Sequence, residues 1–309
     1  MTGLLAAFSN HPLVALGEAH WLQQEADFVG QLLQNPDFAR TVQTIVVEFG
    51  NAYYQPVIDR FMAGEPVTET ELRRVWRNVG GAGGAFESPI YAQFFHTVRA
   101  INQSLPSDQQ LRVLLGDPPV DWQSGRRDPA IWKKSNPRDE HYAQVVEGHV
   151  LAHRKRALLI AGAGHFSRIS DLDPLEGNVV QRLELKYPGI IFVIVPHVIF
   201  DETMPVHQDE IHDLEKRLAS WPVPSLAGVR GTWLGQIPAY LHFDTIARTI
   251  DADGTERLVR FPYIGRDGKP ITEVRLSDMV DALLYLGPSQ RLTFTLPEPR
   301  SGLPKNSTS

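Results

Sequence analysis

The sequence predicts an α/β fold, a mostly parallel central sheet with helices on both faces and a C-terminal extension, and three observations carry that expectation. Five short runs rich in Val, Ile and Leu fall at residues 13–16, 44–47, 111–115, 158–161 and 190–195. Helical patterns lie between them. Each run is followed at once by glycine, proline or a titratable side chain. Short apolar runs bounded by turn formers fit strands buried on both faces. Their alternation with helices fits a parallel sheet with right-handed crossovers.

The first run leads into a helical pattern over residues 21–33, with Leu22, Phe28, Leu32 and Leu33 on one stripe. The second is followed by a long excursion over residues 51–107, read as helical. It contains Gly80-Gly81-Ala82-Gly83-Gly84, which lacks the Lys-Ser/Thr of a phosphate loop and reads as a lid or hinge. After the third run, Asn136-Pro137 opens a helix, because Asn caps well and Pro suits the first helical position. Its apolar face is Tyr142, Val145, Val146 and Val150. The fourth run precedes a helix over residues 179–187, stopped by Pro188-Gly189. Beyond His197 the pattern loosens into a helix over residues 209–220, then Pro-rich and hairpin-like segments with Asp267-Gly268 as a turn. The expected organisation is a core at residues 1–200 that carries the site, an extension at 201–296 packed on it, and a disordered polar tail at 297–309.

Composition narrows the chemistry. The 309 residues are 42% hydrophobic and 21% charged, enough for a full core without disulfides. With no cysteine there is no thiolate nucleophile, Cys-type zinc site or iron-sulfur cluster. Any chemistry must come from His, carboxylates, hydroxyls or water. Thirty Lys and Arg against 36 Asp and Glu, a net charge of −6, and the lack of a basic run exclude nucleic acid as an expected partner. No run reaches the roughly 18 apolar residues of a membrane-spanning helix, and residues 1–10 lack the basic start and apolar length of a signal peptide. The compartment stays open, since a cysteine-free chain suits cytosol or periplasm. The expected partner is a small molecule.

The candidate site is at the strand ends. The first strand ends in Gly17-Glu18-Ala19-His20, the second in Glu48-Phe49-Gly50, the third in Gly116-Asp117-Pro118-Pro119, the fourth in Gly162-Ala163-Gly164-His165 and the fifth in Pro196-His197. In parallel sheets ligands bind at the carboxyl ends of strands, so these groups should share one rim. A Glu ending the apolar run Ile45-Val46-Val47 is costly to bury without partners, and His20 and His165 are the natural ones. The repeated Gly-x-x-His spacing lets the backbone turn sharply and the imidazole reach over the sheet edge. His197 reads as a satisfied core residue, and His149 and His153 as a solvated helix end.

These motifs together resemble the superfamily of erythromycin-esterase-like hydrolases, bacterial haem-binding uptake proteins of the ChaN type and Tiki metalloproteases. The resemblance rests on Leu16-Gly17-Glu18-Ala19-His20, Val47-Glu48, Gly116-Asp117, Arg138-Asp139-Glu140-His141 and Ala161-Gly162-Ala163-Gly164-His165, and covers residues 12–197. It implies an α/β core with the site at strand ends. It also implies that Glu18 and His20 form the first acid–His pair, that Glu48 is the second-strand acid, that His165 is the second motif histidine and that Arg138 is the basic residue opening the helix before the fourth strand. A single residue between Glu18 and His20 is closer to the haem-uptake and Tiki pattern than to the esterases.

The expected function is a hydrolase that activates water. His20, held by Glu18 or Glu48, would be the general base; His165 or Arg138 would stabilise an oxyanion; Asp117 would orient a partner. A metal version would place one divalent ion on His20, His165 and Glu48. The non-catalytic alternative is a haem or small-molecule binding protein, with Tyr53, Tyr54, Trp76 and His96 as available ligands or stacking surfaces, although such rings are more often core.

Overall fold

A computed structural model describes residues 1–79, 84–121, 126–127, 136–169, 176–199, 207–243, 246–250, 256–260, 262–264 and 269–297. Residues 80–83 of the expected lid, the turn at 267–268 and residues 298–309 of the expected tail lie outside them.

All five expected strands are present: β1 (Leu13–Glu18), β2 (Thr44–Asn51), β3 (Arg112–Asp117), β6 (Ala157–Gly162) and β7 (Ile191–Pro196). Two-residue β4 (Val120–Asp121) and β5 (Arg126–Arg127) pair beside them. The central sheet has seven strands in the order β3-β2-β6-β1-β7-β13-β8. Its last two members, β8 (Ser225–Gly228) and β13 (Ala282–Tyr285), come from the stretch after residue 200, where the sequence predicts hairpin-like segments but no strand of the central sheet. β13 pairs parallel with β7, and β8 closes the edge antiparallel to β13. Two small antiparallel ladders, β9 (Ile246–Ile250) with β10 (Glu256–Arg260) and β11 (Tyr263–Ile264) with β12 (Pro270–Ile271), lie in the same stretch.

Period-two alternation divides the strand side chains between two cores, as expected of a sheet covered on both sides. Val14, Leu16, Ile45, Val47, Leu158 and Ile160 face one layer; Leu13, Ala15, Val46, Leu159 and Ala161 face the other. The first layer is built by α1 (Thr2–Ala7), α2 (Gln23–Gln34), α3 (Pro36–Thr41) and the excursion helices α4 (Gln55–Met62), α5 (Glu69–Arg77) and α6 (Pro89–Ser104). The second is built by α7 (Pro137–His149), α8 (Val179–Lys186), α9 (Gln208–Leu218) and α10 (Leu276–Met279).

The helix starts follow local chemistry. The Asn136 side chain accepts from the Asp139 N–H with Pro137 at the first helical position, and Asn178 forms a capping box with Gln181 ahead of α8. α7 begins beside the strand-end acids Glu48 and Asp117, which its Arg138 meets, and α8 begins against Asp139 of α7. The β2–β3 register shifts between Val47 and Asn51, so Glu48 leaves the regular ladder where it reaches the rim. After His20, Trp21 takes φ 70°, the left-handed region that turns the chain off the sheet.

Candidate functional site

Glu48 is the hub. It is only 4% exposed, a position tolerable for a carboxylate only with partners, and it has three. Arg138 donates through NH2 to Glu48 Oε1 at 2.7 Å, His165 Nε2 lies 3.1 Å from the same oxygen, and the Gly162 N–H donates to Oε2 at 2.7 Å. Arg138 Nε donates to Asp117 Oδ1 at 2.7 Å, so the third-strand acid holds the guanidinium flat against the rim. The second His165 nitrogen, Nδ1, donates to Asp139 Oδ1 at 2.7 Å, and that oxygen also accepts the Val179 N–H at the start of α8.

These contacts fix the charges. Burial opposes ionisation of Glu48, but the charges of His165 and Arg138 and the His165 hydrogen bond outweigh it and hold the carboxyl far below its ordinary range. Burial likewise opposes the His165 imidazolium, yet the Glu48 and Asp139 carboxylates push it up to about 10. Arg138 is desolvated but also raised by Glu48 and Asp117. At neutral pH this half of the site is two cations pinned by three carboxylates.

The other half is built on β1. His20 Nδ1 donates to Glu18 Oε1 at 3.2 Å, and the Tyr91 hydroxyl, from α6, donates to the same oxygen at 2.5 Å. Glu18 is 8% exposed and His20 36%, so the acid is buried and the imidazole reaches solvent. His20 is walled by Phe86, edge-on at 5.4 Å, and Phe86 and Phe49 flank Tyr91 at 5.0 and 4.8 Å. Burial lowers the His20 pKa, but the Glu18 hydrogen bond and the Glu18 and Glu48 charges raise it above the ordinary value. Tyr91 is pushed well above its usual range by burial and the Glu18 charge, so it remains a donor. The two halves meet at Gly162, where an added Cβ would lie 3.0 Å from His20 Nε2 and 3.5 Å from Glu48 Oε2. Glycine there is a condition of the close approach. Gly116 does the same for Tyr142, whose ring would stand 2.3 Å from a Cβ.

Glu18, His20, Glu48, Asp117, Arg138 and His165 are thus joined or abutting at the carboxyl ends of β1, β2, β3 and β6 and the start of α7. His20 is held by Glu18, not Glu48. Two members escaped the sequence reading. Asp139 was visible inside the Arg138-Asp139-Glu140-His141 string, and its burial in a first helical turn sets it apart from the more accessible Glu140. Tyr91 lies on an apolar helix face, where Tyr and Phe give the same pattern. His197 belongs to a separate buried cluster with Glu215 at 3.2 Å and His242 at 3.0 Å, and His149 and His153 are exposed.

Of the groups available to the alternative reading, Tyr54 and Trp76 are buried, Trp76 stacked on Phe95 at 5.5 Å. Tyr53 is exposed, and exposed His96 packs on Phe61 at 5.3 Å. The set His20, His165 and Glu48 does not suit a divalent ion. Both His165 nitrogens are committed to carboxylates, and the Glu48 charge is already balanced by Arg138 and His165, with its second oxygen taking the Gly162 N–H. Among the described residues no group of three or more metal-type side chains is arranged to hold an ion, and none of the helices is long and apolar enough to cross a membrane.

No family model matches the chain, and no curated protein matches its sequence. Its structure is similar to a succinoglycan biosynthesis protein (TM-score 0.59, 10% identity, 92% of this chain and 90% of that one). It is also similar to a protein from Bacillus cereus (TM-score 0.56, 10% identity, 93% and 90%). An erythromycin esterase variant in its open conformation matches at TM-score 0.55 and 12% identity over 95% and 93% of the two chains. This chain therefore shares the fold of these three proteins, an erythromycin esterase among them.

Proposed function

We propose that the protein is a hydrolase that activates water with the Glu18–His20 pair against the cationic Arg138–His165 side of the rim. One observation carries the reading: His20 Nδ1 is held by Glu18, while Nε2 makes no hydrogen bond among the described residues and faces Gly162 beside Glu48. An imidazole with one nitrogen donated to a carboxylate and the other open is poised as a base. Glu18 fixes the tautomer and stabilises the imidazolium formed when His20 takes a proton from water. Tyr91 keeps Glu18 oriented. Arg138, immobilised by Asp117 and Glu48, supplies a fixed positive charge near which an oxyanion could develop. His165 acts through Glu48, since both its nitrogens are engaged. The similarity to an erythromycin esterase supports ester chemistry on this fold.

Binding of haem or another ligand through the excursion aromatics has less support, because Tyr54 and Trp76 are committed to the core. The test is turnover of a panel of p-nitrophenyl esters, lactones and p-nitroanilides by the wild type, His20→Ala and Glu18→Gln, with melting curves run alongside. The expected result is turnover in the wild type that falls by ~10²-fold or more in His20→Ala with the fold intact. Turnover retained by folded His20→Ala, or none by the wild type alongside saturable haemin binding, would overturn the assignment.

A further inference from the structure

Trp21 directly follows His20 and takes φ 70°. A bulky side chain keeps that conformation only where its surroundings over-determine it, and such residues gather at functional sites. Two contacts hold it. Its indole Nε1 donates to the Ala85 carbonyl at 2.5 Å, next to the Phe86 ring that walls His20. Its own carbonyl accepts the Thr295 N–H at 2.8 Å.

Thr295 belongs to a C-terminal strap laid antiparallel along the start of α2. Leu22 and Phe294 form a β-bridge, the Gln23 N–H donates to the Thr293 carbonyl at 2.9 Å, and the Thr293 N–H donates to Gln24 Oε1 at 3.0 Å. The Thr295 hydroxyl donates to Gln23 Oε1 at 2.6 Å. On the other side of the strap, the Thr295 carbonyl accepts the hydroxyl of Ser88. Ser88 is fully buried, immediately precedes α6 and makes no side-chain cap to that helix. Thr295 therefore bridges the turn that carries His20 and the helix whose third residue is Tyr91. His20 Nδ1 and the Tyr91 hydroxyl converge on one oxygen, Glu18 Oε1, at 3.2 and 2.5 Å, and lie 3.5 Å from each other. A small displacement of either element would part them, and misplacement of that kind is costly to a reacting group.

We infer that Thr295 is a positioning residue of the site, fastening the His20 turn to the start of α6 so that the imidazole and the Tyr91 hydroxyl meet on Glu18. It adds no charge. The titratable groups facing His20 are Glu18, Tyr91, Glu48 and His165, so the strap acts through geometry alone. Its effect on turnover rests on the hydrolytic reading above, whereas its effect on the His20 ring does not. The C-terminal extension thereby completes a site whose other residues all lie before residue 200.

The experiment compares three variants of the full chain. Thr295→Pro deletes the N–H given to Trp21 and the hydroxyl given to Gln23, Ser88→Ala cuts only the α6 side, and Thr295→Ser keeps every donor and acceptor. The readouts are histidine side-chain nitrogen NMR across pH, with His165 as the internal reference, and kcat and KM on a p-nitrophenyl ester. In Thr295→Pro the His20 pKa should drop toward its ordinary value of roughly 6.5, while His165 still holds its proton to about 10. Its kcat should fall by ~10²-fold with KM little changed. Ser88→Ala should move the same quantities in the same direction by less, and Thr295→Ser should match the wild type. Three results would overturn the proposal: an unmoved His20 titration in folded Thr295→Pro, the same in Ser88→Ala where the proline variant does not fold, or His20 and His165 shifting together. The two readings fail separately. A shifted His20 in Thr295→Pro without ester turnover by the wild type keeps the positioning role and sinks the hydrolase, whereas wild-type turnover with an unmoved His20 in Thr295→Pro does the reverse.

Discussion

The same spacing, Gly-x-x-His, ends β1 and β6, yet the two histidines are in opposite electrostatic situations. His20 has one acid on one nitrogen, a solvent-reaching ring and a pKa raised by Glu18 against burial. His165 has a carboxylate on each nitrogen, is mostly enclosed, and holds its proton to about 10. A motif gives an imidazole its place at a strand end. Its neighbours, drawn from other strands and from a helix start, decide whether it titrates as a base or serves as a fixed cation. Within one rim the fold has separated a proton acceptor from a charge frame, the division expected when two titratable groups have environments that push their pKa values apart.

Removing the hub should have the largest effect. Glu48→Ala leaves Arg138 short of one partner and His165 facing Asp139 alone, and breaking a buried ion pair by deleting one member costs ~3 to 5 kcal/mol. Denaturant melts should show that loss, and a change under 1 kcal/mol would mean the frame is not held by Glu48. His20→Ala should do the reverse, cutting turnover by ~10² to 10⁴-fold while melting close to wild type. If His20→Ala and His165→Ala have the same profile of stability and rate, the distinction between the two halves is wrong.

Tyr91→Phe tests the support behind the base. It deletes one donor to a buried carboxylate, worth about 1.5 to 3 kcal/mol, and should lower the rate without abolishing it. An unchanged rate would make Tyr91 a packing residue.

The most gradual effects are those of pH. Turnover should rise as pH increases through the His20 pKa, which lies above the ordinary value of roughly 6.5, because the base must be neutral. Stability should run the other way. The His165 pKa is raised by folding, so its contribution is complete below roughly pH 6.5 and is lost as pH rises toward about 10. Glu48 is depressed by folding, so its contribution is present above roughly pH 4.5 and is lost as pH falls toward its folded value. In Glu48→Gln the alkaline decline should be shallower, since His165 keeps only Asp139. A decline as steep as in the wild type would place its origin elsewhere.

The sheet core was legible because parallel strands buried on both faces read as uninterrupted Val/Ile/Leu runs. β13 is the same kind of short apolar run, closed by Gly287-Pro288, and went unread because it lies beyond His197, where no strand–helix alternation frames it; β8 went unread because it is a half-buried edge strand. The strand-end rule brought Glu18, His20, Glu48, Asp117 and His165 to one rim without any structure. It could not say which acid serves which histidine, since that depends on the shift of register at Glu48 and on the angle at which α7 presents Arg138 and Asp139. Tyr91 comes from the excursion, where helix patterning hides a hydroxyl among aromatic core residues.

The claim that the rim contains one titrating imidazole and one locked imidazolium is tested most directly by side-chain nitrogen NMR on histidine-labelled protein across pH 5 to 11. The two rings are assigned through His20→Gln and His165→Gln. The expected result is that His20 loses its proton first, with Nδ1 keeping its hydrogen, while both His165 nitrogens stay protonated until pH approaches about 10. A His165 signal that titrates near pH 6.5, or ahead of His20, would contradict it.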